Sequence, residues 1–94
     1  MFVVSLTYLV PIEDVDAHIP AHMAWLEKHY ETGVFIASGR KVPRTGGVIL
    51  ARGDRAVVEQ CLREDPFTVH NLAEYEIIEF LVSKTMPGLD ALKE

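Results

Sequence analysis

"VFIASGRKVPRTGGVILAR", residues 34–52, decides how this chain folds. Two runs rich in β-branched and apolar residues, "VFIASGRKV" (34–42) and "GGVILAR" (46–52), flank the short connection "PRT", so the segment predicts an antiparallel hairpin. What lies on either side of the hairpin then sets the architecture. Upstream, "MFVVSLTYLV" (1–10) reads as a strand that stops at Pro11. From Ile12 the period changes: Ile12, Val15, Ile19, Met23, Leu26 and Tyr30 recur every three or four residues, the stripe of an amphipathic helix that ends near Gly33. Pro20 interrupts this pattern, because a helix-interior proline loses a ladder bond and clashes with the preceding turn; one kinked helix or two short ones both fit.

Downstream, Asp54 is placed to cap a helix over 55–63 whose Val58, Cys61 and Leu62 share a face. "DPF" (65–67) ends that helix, an irregular stretch follows, and "EYEIIEFLV" (74–82) is the last strand. The order β-α-β-β-α-β predicts a ferredoxin-like α+β domain over residues 1–83, a four-stranded antiparallel sheet with both helices on one face. Residues 84–94 read as a C-terminal tail available to a partner. Phe2, Val4, Phe35, Val48, Leu50, Ile78 and Phe80 supply more apolar strand positions than one helix layer covers. A bare apolar sheet face marks an interface, so a homodimer formed through the sheet faces is expected.

The chain is of one-domain length, and with 49% hydrophobic and 24% charged residues its composition is that of a folded globular protein. A net charge of −5 with scattered basic residues argues against a nucleic-acid partner, which requires concentrated Lys and Arg. The one basic cluster, Arg40, Lys41 and Arg44, is too small for a phosphate-binding stripe. No apolar run approaches membrane length, and the lone Cys61 suits a reducing compartment, so a cytoplasmic protein is expected.

Chemistry concentrates on the first long helix. If Pro20 leaves the register intact, His18, His22, Trp25 and His29 fall within roughly 60° of one another on a helical wheel; if it does not, His18 leaves the row. Histidine exchanges protons near neutrality once a partner fixes its tautomer, and a carboxylate does this best. Asp65 is the candidate, since the following Pro66 holds its backbone away from the α region. His18 and His22, four residues apart, also have the spacing of a metal-binding pair, but no Cys pair or acidic partner at diagnostic spacing accompanies them and no metal is expected. Cys61, on an inner helix face without a basic neighbour, reads as structural. Ser38 beside Gly39 reads either as a turn residue or as a hydrogen-bonding group for a ligand, and Trp25 as core or pocket wall. His70, in the irregular stretch, reads as an exposed residue or one near the mouth of a cleft.

Taken together, "PAHMAWLEKHYETGVFIASG" (20–39) and "LREDPFTVHNLAEYEIIEF" (62–80) resemble the YCII-related family, whose members carry a proline-x-histidine helix start, a glycine after the second strand and an Asp-Pro-Phe or Asp-Pro-Tyr after the second helix. The resemblance implies a ferredoxin-like fold that pairs through its sheets as a dimeric α+β barrel, with a small-molecule pocket containing His22 and Asp65. Ser38, Gly39, Arg40, Trp25 and Phe67 are expected to neighbour the ligand in that pocket. Two departures stand out: many members have arginine where this chain has Ile19, and many follow the glycine with proline where this chain has Arg40.

Three functions compete. One is a cofactor-free lyase or isomerase in which His22, oriented by Asp65, does acid-base chemistry on a small cyclic or enolisable substrate. Another is a non-catalytic dimer that binds a small ligand, and the last is a cofactor-free monooxygenase of the dimeric α+β-barrel type. The chain carries no flavin or nucleotide motif, and no cofactor is expected.

Overall fold

The computed structural model describes all of residues 1–94. Its elements are β1 (Phe2–Tyr8), α1 (Ile12–Asp16), α2 (Ile19–Glu31), β2 (Phe35–Arg40), β3 (Gly46–Ala51), α3 (Arg55–Arg63), α4 (Pro66–Val69) and β4 (Ala73–Glu79), with a 3₁₀ turn at Asp90–Leu92. The strands form one antiparallel sheet in the order β2-β3-β1-β4, the ferredoxin-like topology expected from the hairpin and its flanking helices. Strand alternation divides the apolar residues between two faces. Phe2, Val4, Leu6, Phe35, Ile49 and Ala51 pack under Val15, Trp25, Leu26, Val58 and Leu62 to make the core.

This alternation also refines the expectation of an excess apolar face. Phe2, Val4 and Phe35 belong to the helix-covered side, each at most 2% exposed. By register, Val48, Leu50, Ile78 and Phe80 lie on the opposite side together with Val3, and Ile78 and Phe80 are 53% and 45% exposed. The apolar part of the open face is therefore smaller than the seven residues suggested, with Val3, Val48, Leu50, Ile78 and Phe80 beside the polar pairs Ser5–Glu76 and Thr7–Glu74.

Pro20 resolves as a break, not a kink. α1 ends at Asp16, His18 occupies the N-cap of α2, and Pro20 sits in its first turn, where the missing N–H costs no ladder bond. His18 still accepts the His22 amide at 3.0 Å through its carbonyl, and its ring lies tilted against His70, centroids 4.4 Å apart. Two other local expectations change. Asp54 holds the N-cap position of α3 but makes no side-chain cap; its carbonyl accepts from Val57 and Val58 instead. Asp65 does not simply end α3: it caps α4, one turn of helix in the stretch expected to be irregular. The tail returns to its own domain, where the Met1 ammonium pairs with Glu94 at 2.6 Å and the Glu94 amide donates to the Val82 carbonyl.

Two backbone features of the central hairpin shape the site. A bulge between Phe35 and Ala37 inserts one extra residue into β2, which reverses the alternation. Phe35 faces the helices, and so, beyond the bulge, do Ser38 and Arg40, opposite Ile49 and Gly47. On β3, a Cβ at Gly46 would lie 1.8 Å from the Leu6 carbonyl oxygen, so only glycine lets β3 approach β1 here. Its neighbour Gly47, opposite Leu6 on the helix-facing side, contributes no side chain and leaves a hollow between sheet and α2.

His29 is a core residue, wedged between Trp25 and Phe35 with Nδ1 3.4 Å from the Cys61 sulfur. Its buried Nε2 has no hydrogen-bond partner, the Glu64 carboxylate being 3.8 Å away. Burial pushes its pKa below the ordinary value; Glu64 opposes this shift and Lys28 adds to it. The folded chain thus takes up the His29 proton less readily than the unfolded chain, so the neutral imidazole favours folding above the ordinary histidine range. That stability is lost as pH falls through the range towards the lowered folded value. In denaturant titrations at about pH 7.5 and about pH 5, His29→Gln is expected to lose less stability on acidification than the wild type. Equal losses in the two proteins would contradict the assignment.

Candidate active site

A cavity of about 500 Å³ lies between α2 and the β1–β3–β2 part of the sheet, over the hollow that Gly47 leaves. Its wall is largely apolar, with Leu6, Ile19, Met23, Leu26, Ile49 and Phe67, and His22 reaches it from α2. Ser38, Gly39 and Arg40 line it from β2, as expected of ligand neighbours. Asp16 and Arg44 meet at its rim in a 2.6 Å ion pair that joins the end of α1 to the β2–β3 connection, with the Arg44 guanidinium 6.0 Å from the centre of the Tyr8 ring.

His22 and Asp65, 43 residues apart, are brought together: His22 Nδ1 lies 2.8 Å from Asp65 Oδ1. The reason is local to α4. Pro66 keeps Asp65 extended, and in that conformation its carboxylate turns back to accept the Phe67 amide at 3.0 Å, the usual N-cap arrangement. The residue is wholly buried. Its second oxygen, Oδ2, accepts a hydrogen bond from the Tyr75 hydroxyl on β4. Burial and the adjacent carboxylate push the Tyr75 phenol far above its ordinary pKa, so it remains a donor throughout the physiological range.

The carboxylate therefore receives three donors, the His22 ring, the Phe67 amide and the Tyr75 hydroxyl, which is what a buried carboxylate requires. This pattern determines the tautomer. With the ionised Asp65 carboxylate as acceptor, Nδ1 is the nitrogen that donates, Nε2 has no protein partner, and the His22 side chain lines the cavity. The ring cannot swing away. Phe67 stacks flat on it at 4.0 Å and 4°, and Trp25 lies against its other flank at 5.3 Å.

Trp25 does not line the cavity, contrary to the expectation that it neighbours the ligand, and takes the core alternative instead. It is buried behind His22, its indole N–H donating to the Cys61 carbonyl at 2.9 Å. His18, at the N-cap of α2, has its ring against His70, while His22 one turn on is bound to Asp65, so the two imidazoles of the HxxxH pair have different partners. His70 is exposed and away from the cavity lining. Cys61 is buried, and burial, with Glu64 nearby, pushes its thiol up, the opposite of nucleophile activation. Sequence reasoning overlooked Tyr75, although its place between Ala73 and Ile77 marks a polar tip on the core-facing side of β4.

What the arrangement can do is hold one imidazole in a fixed tautomer beside an apolar hollow. A base so oriented can remove a proton from a bound molecule, and the Asp65 carboxylate stabilises the imidazolium that results.

No curated protein matches the chain in sequence. Among solved structures, it is similar to 5-chloro-2-hydroxyhydroquinone dehydrochlorinase from Burkholderia phenoliruptrix AC1100 in complex with 2,5-dihydroxybenzoquinone. The TM-score is 0.70 with 17% identity, over 85% of this chain and 93% of that one, a likeness of fold. The profile of the YCII-related domain matches residues 1–81, which take in every helix and strand of the sheet domain together with His22, Asp65 and Tyr75. On that match, and with the topology the family was expected to have, the chain belongs to the YCII-related family.

Proposed function

We propose that this protein is a small-molecule enzyme of the lyase or isomerase type, in which His22 acts as general base and then acid on a cyclic or enolisable substrate held in the cavity. The observation that carries the reading is the pairing of His22 Nδ1 with a buried, triply hydrogen-bonded Asp65 in an imidazole that lines the cavity, which leaves Nε2 as the nitrogen available to a substrate. A ligand-binding module has no need of a proton acceptor fixed in this way. The dehydrochlorinase activity of the structural relative belongs to the same reaction class, proton removal coupled to loss of a leaving group.

The step is simple to balance. Nε2 takes a proton from a ring hydroxyl or from a carbon next to a carbonyl, the electron pair left behind is held as an enolate, and His22 becomes an imidazolium paired with Asp65 until its proton passes to the substrate or to water. Expulsion of a leaving anion from the enolate gives a lyase, while return of the proton from Nε2 to a different atom gives an isomerase. Phe67 keeps the ring in line, and Ser38, Gly39 and Arg40 hold the substrate from the β2 side. The acting unit is residues 1–83, with residues 84–94 folded against its N-terminal edge, and the buried free Cys61 supports a reducing, cytoplasmic setting.

With 2,5-dihydroxybenzoquinone as the binding probe and turnover of a halogenated hydroxyhydroquinone as the activity, His22→Ala is expected to lower kcat by at least ~10²-fold while the probe still binds. Asp65→Asn is expected to cost a similar factor, because an amide presents a donor to groups that are themselves donors. Full turnover by both variants would end the acid-base reading; a change in affinity alone would leave a binding protein.

The functional unit is proposed to be a homodimer paired through the open sheet faces, where Val3, Val48, Leu50, Ile78 and Phe80 form an apolar surface. Sedimentation of the wild type should give two chains, and the double variant Leu50→Glu, Ile78→Glu one chain. A monomeric wild type would contradict the pairing.

A further inference from the structure

Two arginines line the cavity, and they are in different states. Arg44 is committed: its guanidinium pairs with Asp16 at 2.6 Å and lies over the Tyr8 ring. Arg40 has no ion pair and no side-chain hydrogen bond. Asp16, which Arg44 neutralises, is the one acidic residue of the cavity lining. In a chain with 14 acidic and 9 basic residues, the cavity is therefore a local inversion of sign, with one cation left over.

The backbone directs that cation inward. Without the β2 bulge, residue 40 would point to the open sheet face; with it, Arg40 shares the cavity side with Ser38. Opposite Arg40 stands Gly47, which sends no side chain between the guanidinium and the hollow. Ser38 adds a hydroxyl on the same side, already hydrogen-bonded to Tyr30 at 2.5 Å. The remaining wall is largely apolar, and Arg40, itself exposed, sets its charge at the solvent edge of that wall, where an entering anion meets it first.

From this we infer that Arg40 is the specificity-determining residue of the cavity, and that the ligand is a small planar molecule with one ionised oxygen acid, a carboxylate or a phenolate, paired with the guanidinium. The inference builds on the proposed use of the cavity, but it concerns the charge of the ligand and not the proton transfer. A planar guanidinium bonds a carboxylate through two parallel N–H groups and a phenolate through N–H groups converging on its one oxygen, and charge-assisted bonds of this kind are roughly twice as strong as neutral ones. In the reaction, the same cation draws the negative charge of an enolate away from His22.

The test uses three probes of one shape: benzoate, 4-nitrophenolate at mildly alkaline pH, and uncharged benzamide. Affinities are read from amide chemical shifts of the wild type, Arg40→Gln and Arg40→Lys. The wild type is expected to bind at least one of the anions ~10-fold or more tightly than benzamide. Arg40→Gln should lose that preference while keeping its benzamide affinity, and Arg40→Lys should recover part of it. A preference confined to one anion supports the inference and names the acid. The inference is overturned if Arg40→Gln binds the anions as the wild type does, or if benzamide matches them in the wild type; in both cases the cavity and His22 keep their proposed use. Failure of all three probes to bind the wild type overturns the inference and the cavity reading together.

Discussion

The carboxylate of Asp65 is the constraint on which the rest of this structure turns. A wholly buried carboxylate without partners would cost several kcal/mol, so its three donors are required by the fold as much as by any chemistry. Those donors come from α2, α4 and β4, which means that one side chain ties together three elements otherwise joined only by packing. The same bonds decide which nitrogen of His22 holds its proton. Stability and reactivity are thus linked through one group. A change that relieves the burial of Asp65 also releases the imidazole.

Around that anchor the hollow is made by omission. Glycine at 46 lets β3 run close against β1, and glycine at 47 withholds a side chain where one would fill the space under α2. The β2 bulge supplies what the glycines do not, turning Ser38 and Arg40 towards the space. Both sides of the site therefore follow from the hairpin at 34–52: its glycines shape the floor and its bulge equips the wall. The opposite sheet face, apolar at its centre, is left for a partner surface.

The topology could be read from the chain because helix and strand periods alternate cleanly, and the turns around the hairpin leave little choice of order. The His22 and Asp65 pair was within reach because Asp-Pro restricts the backbone and a histidine at the edge of an apolar stripe invites a partner. Other features depend on tertiary context. A bulge is a single-residue slip with no sequence mark in "VFIASGRKV", yet it decides which face residues 38 and 40 occupy. Trp25 read as core or pocket wall from its place between two histidines, and the structure takes the first, with its N–H on the Cys61 carbonyl. Tyr75 contributes only its hydroxyl to the site, and nothing local says where a strand tyrosine will find an acceptor. Pro20 had two readings, and the structure adopts the break, with His18 as the N-cap of the second helix.

The central claim is that Asp65 holds His22 in a single neutral tautomer with Nε2 free for the substrate. Long-range proton–nitrogen correlation spectra of the His22 ring, recorded at alkaline pH where the imidazole is neutral, test it most directly. The account predicts a protonated Nδ1 and an unprotonated, pyridine-like Nε2. A proton on Nε2, or rapid averaging between the two tautomers, would contradict it.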